Sequence, residues 1–131
     1  MDLEKIEFAQ NIPTDLPPLK VDRRHLEEIL FNLIVNACQA LKAVPRDTAK
    51  SKIEISAAQQ NGHINIAISD NGPGIPSDRL KKIFEPFFTT KEEGTGLGLY
   101  IVKQLVEKNS GKIFVQSECG KGTVFSLKFI R

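Results

Sequence analysis

The run Ile53-Glu54-Ile55-Ser56-Ala57, then Gln60-Asn61-Gly62, then Ile64-Asn65-Ile66-Ala67-Ile68-Ser69-Asp70-Asn71-Gly72-Pro73-Gly74, decides the fold. Apolar and polar residues alternate on both sides of an Asn-Gly pair, the pattern of two half-buried antiparallel strands joined as a hairpin. The second strand delivers Asp70 to its end, where the glycines begin. A lone hairpin cannot bury its apolar face, so the rest of the chain must cover it.

Upstream, Asp22 is placed to cap a long helix in which Leu26, Ile29, Leu30, Leu33, Ala37, Ala40 and Leu41 recur at three- and four-residue steps. That helix should end near Ala43, before Pro45. Pro13, Pro17 and Pro18 forbid helix before it and leave a strand over residues 4–10 and a short one over 19–21. Downstream, a short helix over 77–83 precedes a connection, 84–96, whose glycines, threonines and charges predict a mobile loop. A second long helix starts beside Gly96, turns Leu97, Ile101, Leu105 and Val106 inward, and ends near Asn109, before Gly111. Strands over 112–117 and 123–130 flank the turn Glu118-Cys119-Gly120-Lys121-Gly122. The order of elements implies an α/β sandwich: one mixed, mainly antiparallel sheet covered on one face by about three helices.

With 131 residues, 40% of them hydrophobic, the chain fits a single domain over 1–131 that buries its core without staples. The 18 basic and 16 acidic residues leave a formal charge of +2, too balanced to argue for nucleic acid or an anionic membrane. Cys38 and Cys119 form no metal-ligand spacing, and two cysteines do not make a secreted disulfide scaffold, so free thiols in a reducing cytoplasm are expected. No apolar run approaches the roughly 20 residues that span a bilayer, and Met1-Asp2-Leu3-Glu4-Lys5 is too acidic for a signal peptide.

Four features carry chemistry. Asn32 and Asn36 lie one helical turn apart on one side; a carboxamide oxygen is a hard ligand suited to Mg²⁺ beside phosphates, and equally a cap for neighbouring backbone. Asp70 at a strand end can accept a hydrogen bond from an exocyclic amine such as that of adenine, or simply form an Asp-Asn turn. Gly96, Leu97 and Gly98 open a helix, whose free N–H groups attract a polyphosphate, although a flexible turn that starts a helix uses the same residues. No Gly-Lys-Ser/Thr follows, so this is not a Walker loop, and Gly94-Thr95-Gly96-Leu97-Gly98 has the wrong spacing for a dinucleotide loop. Lys91 is placed on the loop to reach a terminal phosphate, with Phe84, Phe87 and Phe88 anchoring that loop to the core.

Taken jointly, Asn32-Leu33-Ile34-Val35-Asn36-Ala37, Asp70-Asn71-Gly72-Pro73-Gly74-Ile75, Phe84-Glu85-Pro86-Phe87-Phe88, Gly94-Thr95-Gly96-Leu97-Gly98-Leu99 and Gly120-Lys121-Gly122-Thr123 resemble the N, first glycine, F, second glycine and third glycine boxes of the catalytic, ATP-binding domain of sensor histidine kinases. This domain belongs to the GHKL superfamily of ATPases and kinases, and the resemblance covers residues 22–130. It implies that Asn36 coordinates Mg²⁺ with Asn32 supporting the same face. It implies further that Asp70 reads the adenine amine, helped by a water on Thr123, and that Gly72 and Gly74 admit the base against Ile75. Gly94, Thr95, Gly96, Leu97 and Gly98 would cradle the phosphates of ATP, and Lys91 would reach the terminal one from an ATP lid. Catalytic roles would fall to Asn32, Asn36 and Lys91.

The sequence departs from the family at Gln39, where many members carry a phosphate-directed lysine; Lys91 or Lys42 would have to compensate. The short lid resembles that of the nitrogen-regulator class. His25 and His63 lack the flanking sequence of the family's phosphorylated histidine and are expected to be a solvated helix residue and a strand edge. The acceptor would therefore lie on a dimerisation domain of a longer parent kinase, of which this is the C-terminal part, with a response regulator downstream and no nucleic-acid partner. The isolated domain is expected to be monomeric and cytoplasmic, whether or not the parent is membrane-anchored. Alternative readings are a GHKL-type ATPase or a nucleotide-sensing module; a serine kinase of the same fold fits the F box less well. In the ATPase relatives a water-activating glutamate stands four residues before the metal-binding asparagine, where this chain has Asn32, an amide that cannot act as a base.

Overall fold

The computed structural model describes residues 6–42, 51–88 and 97–130. Along the chain run β1 (Ile6–Asn11), α1 (Arg23–Lys42), β2 (Ser51–Gln60), β3 (His63–Asp70), α2 (Ser77–Leu80), α3 (Gly98–Lys108), β4 (Lys112–Glu118) and β5 (Gly122–Ile130). The five strands form one sheet in the order β1-β2-β3-β5-β4. Among the described strands the β1–β2 pair is parallel, and β2–β3, β3–β5 and β4–β5 are antiparallel. The mixed, mainly antiparallel sandwich expected from the sequence is thus the observed fold, with the helices on one face.

The hairpin turn forms because Asn61 and Gly62 both accept positive φ, 50° and 79°, which matches the twist of the flanking strands. Cross-strand register then builds apolar rows on the covered face. Ile55, Ile68, Phe125 and Val115 make one row, and Ala57, Ile66, Leu127 and Ile113 the next. Ile29, Leu33 and Leu41 of α1 and Val102 and Val106 of α3 close over them, all 0 or 1% exposed.

Asp22 caps α1 as expected, its Oδ1 accepting from the amides of Arg24 at 2.8 Å and His25 at 3.3 Å. Four expectations need correction. Residues 19–21 form no strand, because Pro17 and Pro18 cannot donate to a ladder; Leu19 and Val21 pack on the core as coil instead. The short helix stops at Leu80 and continues as three-residue turns, Lys82 to Arg79 and Glu85 to Lys82. The inward stripe of α3 is carried by Val102 and Val106, with Leu99 and Leu105 beside them, while Ile101 is only half-buried. His25 is half-buried, not solvated, and its Nδ1 lies 3.0 Å from Asn109 Nδ2. His63 stands at the start of β3, with Nδ1 3.1 Å from the Asn61 carbonyl.

The amide of His25 first, and that of Arg24 in support, hold the Asp22 carboxyl below its ordinary value of 3.8. A carboxyl with a lowered folded-state pKa contributes stability above its unfolded value and loses it as pH falls through the folded one. The melting temperature of Asp22→Ala is therefore expected to lie below wild type by a constant margin at neutral pH. The margin should shrink only as thermal scans are taken to pH 3 and lower, below about 4 where free aspartate protonates.

Candidate functional site

The apolar rows of the sheet stop at one end, and the next row is polar. Ile53 on β2, Asp70 on β3, Thr123 on β5 and Ser117 on β4 are direct cross-strand partners and share the covered face. Asp70 is half-buried and Thr123 is buried at 5% exposed. One oxygen of Asp70 accepts from the Gly72 amide at 2.9 Å, the turn-forming bond expected of an Asp-Asn pair. Asn71 extends the β2–β3 ladder, its Oδ1 accepting from the Lys52 amide at 2.7 Å.

The first glycine loop is fastened to the β4–β5 turn. Gly120 donates to the Pro73 carbonyl at 2.8 Å, and the Ile75 amide donates to Ser117 Oγ at 2.7 Å. Gly74 has φ +79°, and a β-carbon there would fall on the Glu118 carbonyl. The close approach that Gly74 permits is first of all one between two loops of the protein. Ser117 Oγ also donates to the Gly122 carbonyl at 3.0 Å and lies 2.8 Å from Thr123 Oγ1. Ser117 escaped the sequence reading because a serine in an alternating strand carries no signal; only the register reveals it.

Above this row runs the asparagine stripe of α1. Asn32, Asn36 and Ala40 stand at four-residue steps on one side of the helix, about 12 Å end to end. Asn32 Nδ2 donates to the Glu28 carbonyl at 2.9 Å, the backbone role open to it from the sequence. Its Oδ1 would lie 3.4 Å from a β-carbon on Gly98, the first residue of α3. At the other end, Ala40 Cβ would lie 3.4 Å from one on Gly72. Asn36, half-buried, therefore stands between the start of α3 and the first glycine loop.

The structure thus brings together Asn32, Asn36, Asp70, Gly72, Gly74, Ile75, Leu97, Gly98 and Thr123 around one end of the sheet. Leu97 is the N-cap of α3, and the Ile101 amide donates to its carbonyl at 2.8 Å. Lys91, Gly94, Thr95 and Gly96 lie outside the described residues. Of the three anchoring phenylalanines, Phe84 and Phe88 pack on the core, Phe84 edge-on to Phe125 at 6.3 Å with Lys103 Nζ 5.7 Å from its ring. Phe87 does not: it is 73% exposed, with φ 65°. Both cysteines are free, and burial pushes the Cys38 thiol up. No helix among the described residues is long and apolar enough to cross a membrane.

Residues 21–131 match the sequence profile described as histidine kinase-, DNA gyrase B-, and HSP90-like ATPase. The chain belongs to this family. It is similar to the sensor histidine kinase ZraS of Escherichia coli, 41% identical over 94% of this chain and 25% of that protein. It is also similar to sporulation kinase E of Bacillus subtilis, 36% identical over 96% of this chain and 16% of that one. Among solved structures, the catalytic domain of histidine kinase ThkA superposes with a TM-score of 0.80 at 32% identity, over 96% of this chain and 79% of that one. Full-length ShkA in complex with AMPPNP superposes with a TM-score of 0.82 at 31% identity, over 96% of this chain and 26% of that one. The resemblance to histidine kinase catalytic domains read from the five boxes holds, and the fold is one that handles ATP. The chain spans a quarter or less of the length of these two curated relatives.

Gly74 and Gly120 both sit at positive φ, but nothing among the described residues lies within 4 Å of a β-carbon on Gly120. Gly120→Ala should therefore cost about 1–2 kcal/mol of backbone strain. Gly74→Ala should cost clearly more, since its loop must also leave the Glu118 carbonyl. Denaturant midpoints of the two variants measure the difference.

Proposed function

We propose that this chain is the ATP-binding catalytic domain of a protein-histidine kinase, presenting the γ-phosphate of ATP to an imidazole on a separate dimerisation domain of its parent. The observation that carries this reading is the α1 stripe. It meets the start of α3 through Asn32 and the Asp70 loop through Ala40, with Asn36 between them. A nucleotide laid along it would set its base at the polar row, against Ile75, with Gly72 and Gly74 in the loop beside it. Its phosphates would lie at the first turn of α3, beside Leu97 and Gly98, where the start of a helix attracts anions. Gly94, Thr95, Gly96 and Lys91 complete the phosphate side of this proposal.

Mg²⁺ that travels with a nucleotide asks a protein for one or two oxygen ligands. The carboxamide of Asn36 fits that demand, standing between the base end and the phosphate end. Bound there, the ion would neutralise phosphate charge. The chain's own part is alignment, which accounts for most of the protein's contribution to phosphoryl transfer. Asn32 favours transfer over hydrolysis, because an amide bonded to the Glu28 carbonyl cannot take a proton from water. A response regulator, a cytoplasmic setting and a monomeric isolated domain complete the reading.

Incubation with γ-labelled ATP, Mg²⁺ and the histidine-bearing domain of the parent should place acid-labile, alkali-stable label on that domain. Rapid phosphate release without any partner would instead identify an ATPase. Asn36→Ala should lower transfer by about 100-fold or more, the scale of losing one charge-stabilising group.

Asp70→Asn keeps an oxygen for the Gly72 amide but exchanges an acceptor for a donor. ATP affinity should fall about 10- to 100-fold with an unchanged melting temperature. Normal ATP binding by this variant, measured calorimetrically, would remove Asp70 from the base site.

A further inference from the structure

Ser117 is saturated by its surroundings in a way that fixes a neighbour's proton. A hydroxyl has one proton to give and two lone pairs to accept with. The Gly122 carbonyl can only accept, so the Ser117 proton goes there, at 3.0 Å. The Ile75 amide can only donate, and it fills one lone pair at 2.7 Å. What remains for Thr123 Oγ1, 2.8 Å away, is to donate its own proton to Ser117. Thr123, buried and directly across β3–β5 from Asp70, then has lone pairs alone to offer any other partner.

The carboxylate of Asp70 also only accepts. Two neighbouring groups of the row are thus restricted to acceptors, one by its charge and the other by Ser117. A 6-amino group, which donates, is matched by such a row, whereas a 6-oxo group in its place meets lone pairs and a negative charge.

We infer that Ser117 is a specificity-determining positioning residue: by holding the Thr123 proton it keeps Asp70 and Thr123, side by side in the row, both acceptors, and so selects a 6-amino over a 6-oxo group in a purine nucleotide. This rests on the proposal that Asp70 reads the base. In Ser117→Ala the Thr123 proton is released and can turn to a 6-oxo group, so discrimination narrows. Loss of the Ile75 anchor would weaken all nucleotides alike and leave discrimination unchanged, which separates the two effects.

The experiment is calorimetric titration of the chain with ATP and with ITP, in which a 6-oxo group replaces the 6-amino group and N1 carries a proton. The ratio of the two dissociation constants is expected to fall about tenfold in Ser117→Ala, the scale on which one mispaired polar group alters selectivity. Ser117→Thr, which restores the hydroxyl, should return the ratio to the wild-type value. In a Thr123→Val background Ser117→Ala should leave the ratio where Thr123→Val alone puts it. Should Ser117→Ala lose its melting transition, Ser117→Cys, similar in volume but a poor acceptor, carries the same expectation. Equal weakening of ATP and ITP, or an effect undiminished by Thr123→Val, would overturn the inference. Asp70→Asn tells the two levels apart. If it leaves the ratio intact, the base reading itself fails. If it collapses the ratio while Ser117→Ala does not, the Ser117 inference fails alone.

Discussion

The antiparallel register between β3 and β5 is the constraint on which the rest of this structure depends. It sets Ile68 against Phe125 and Ile66 against Leu127, and two residues further on it sets Asp70 against Thr123. A slip of one residue would turn Phe125, Leu127 and Phe129 of β5 to the open face and carry Thr123 with them. Each of those buried side chains is worth about 1.5–3 kcal/mol. The core thus enforces the geometry of the polar row, which could not hold that alignment by its own few hydrogen bonds. Core and site are two ends of the same strands, and one register serves both.

The helices add a second constraint. Asn109, the C-cap of α3, accepts from the Asp22 amide at 3.0 Å and donates to the Leu105 carbonyl at 2.8 Å and to His25 Nδ1 at 3.0 Å. Because the Asp22 amide can only donate, the Asn109 oxygen must face it, which fixes the amide's orientation and makes His25 Nδ1 an acceptor. One side chain therefore joins the end of α3 to the start of α1. The two helices run antiparallel, and near the start of α3 Asn32 comes up to Gly98.

What the sequence made legible follows from what is local. The Asn61-Gly62 turn, the Asp22 cap and the alternation of Ile64, Ile66 and Ile68 all write their geometry within a few residues, and the structure has all three. The glycine boxes and Asn32 and Asn36 were also legible, because those residue types are unusual where they stand. Features that depend on a distant partner were not. Ser117 has meaning only when β4 lies against β5, and Asn109 only when α3 reaches α1. His25 looked solvated because nothing near it in sequence predicts that contact. Phe87 looked like an anchor from composition alone, whereas its positive φ turns it away from the core that takes Phe84 and Phe88.

These contacts bear on how a domain with so little covalent chemistry would work. On the proposed reading the chain must hold a phosphate chain and a base at a set separation, since an error of about 1 Å can cost a hundredfold in rate. The base end belongs to the sheet, through Asp70 and Thr123. The phosphate end belongs to α3, whose eleven residues run about 16 Å from Gly98 to Lys108. α1 touches α3 near its start, at Asn32, and, through Asp22, His25 and Asn109, at the opposite end. A rod held at both ends cannot tilt without breaking one set of contacts. The alignment of the phosphate end is therefore governed partly from Asn109, a residue in none of the glycine boxes and about three helical turns from the site it steadies.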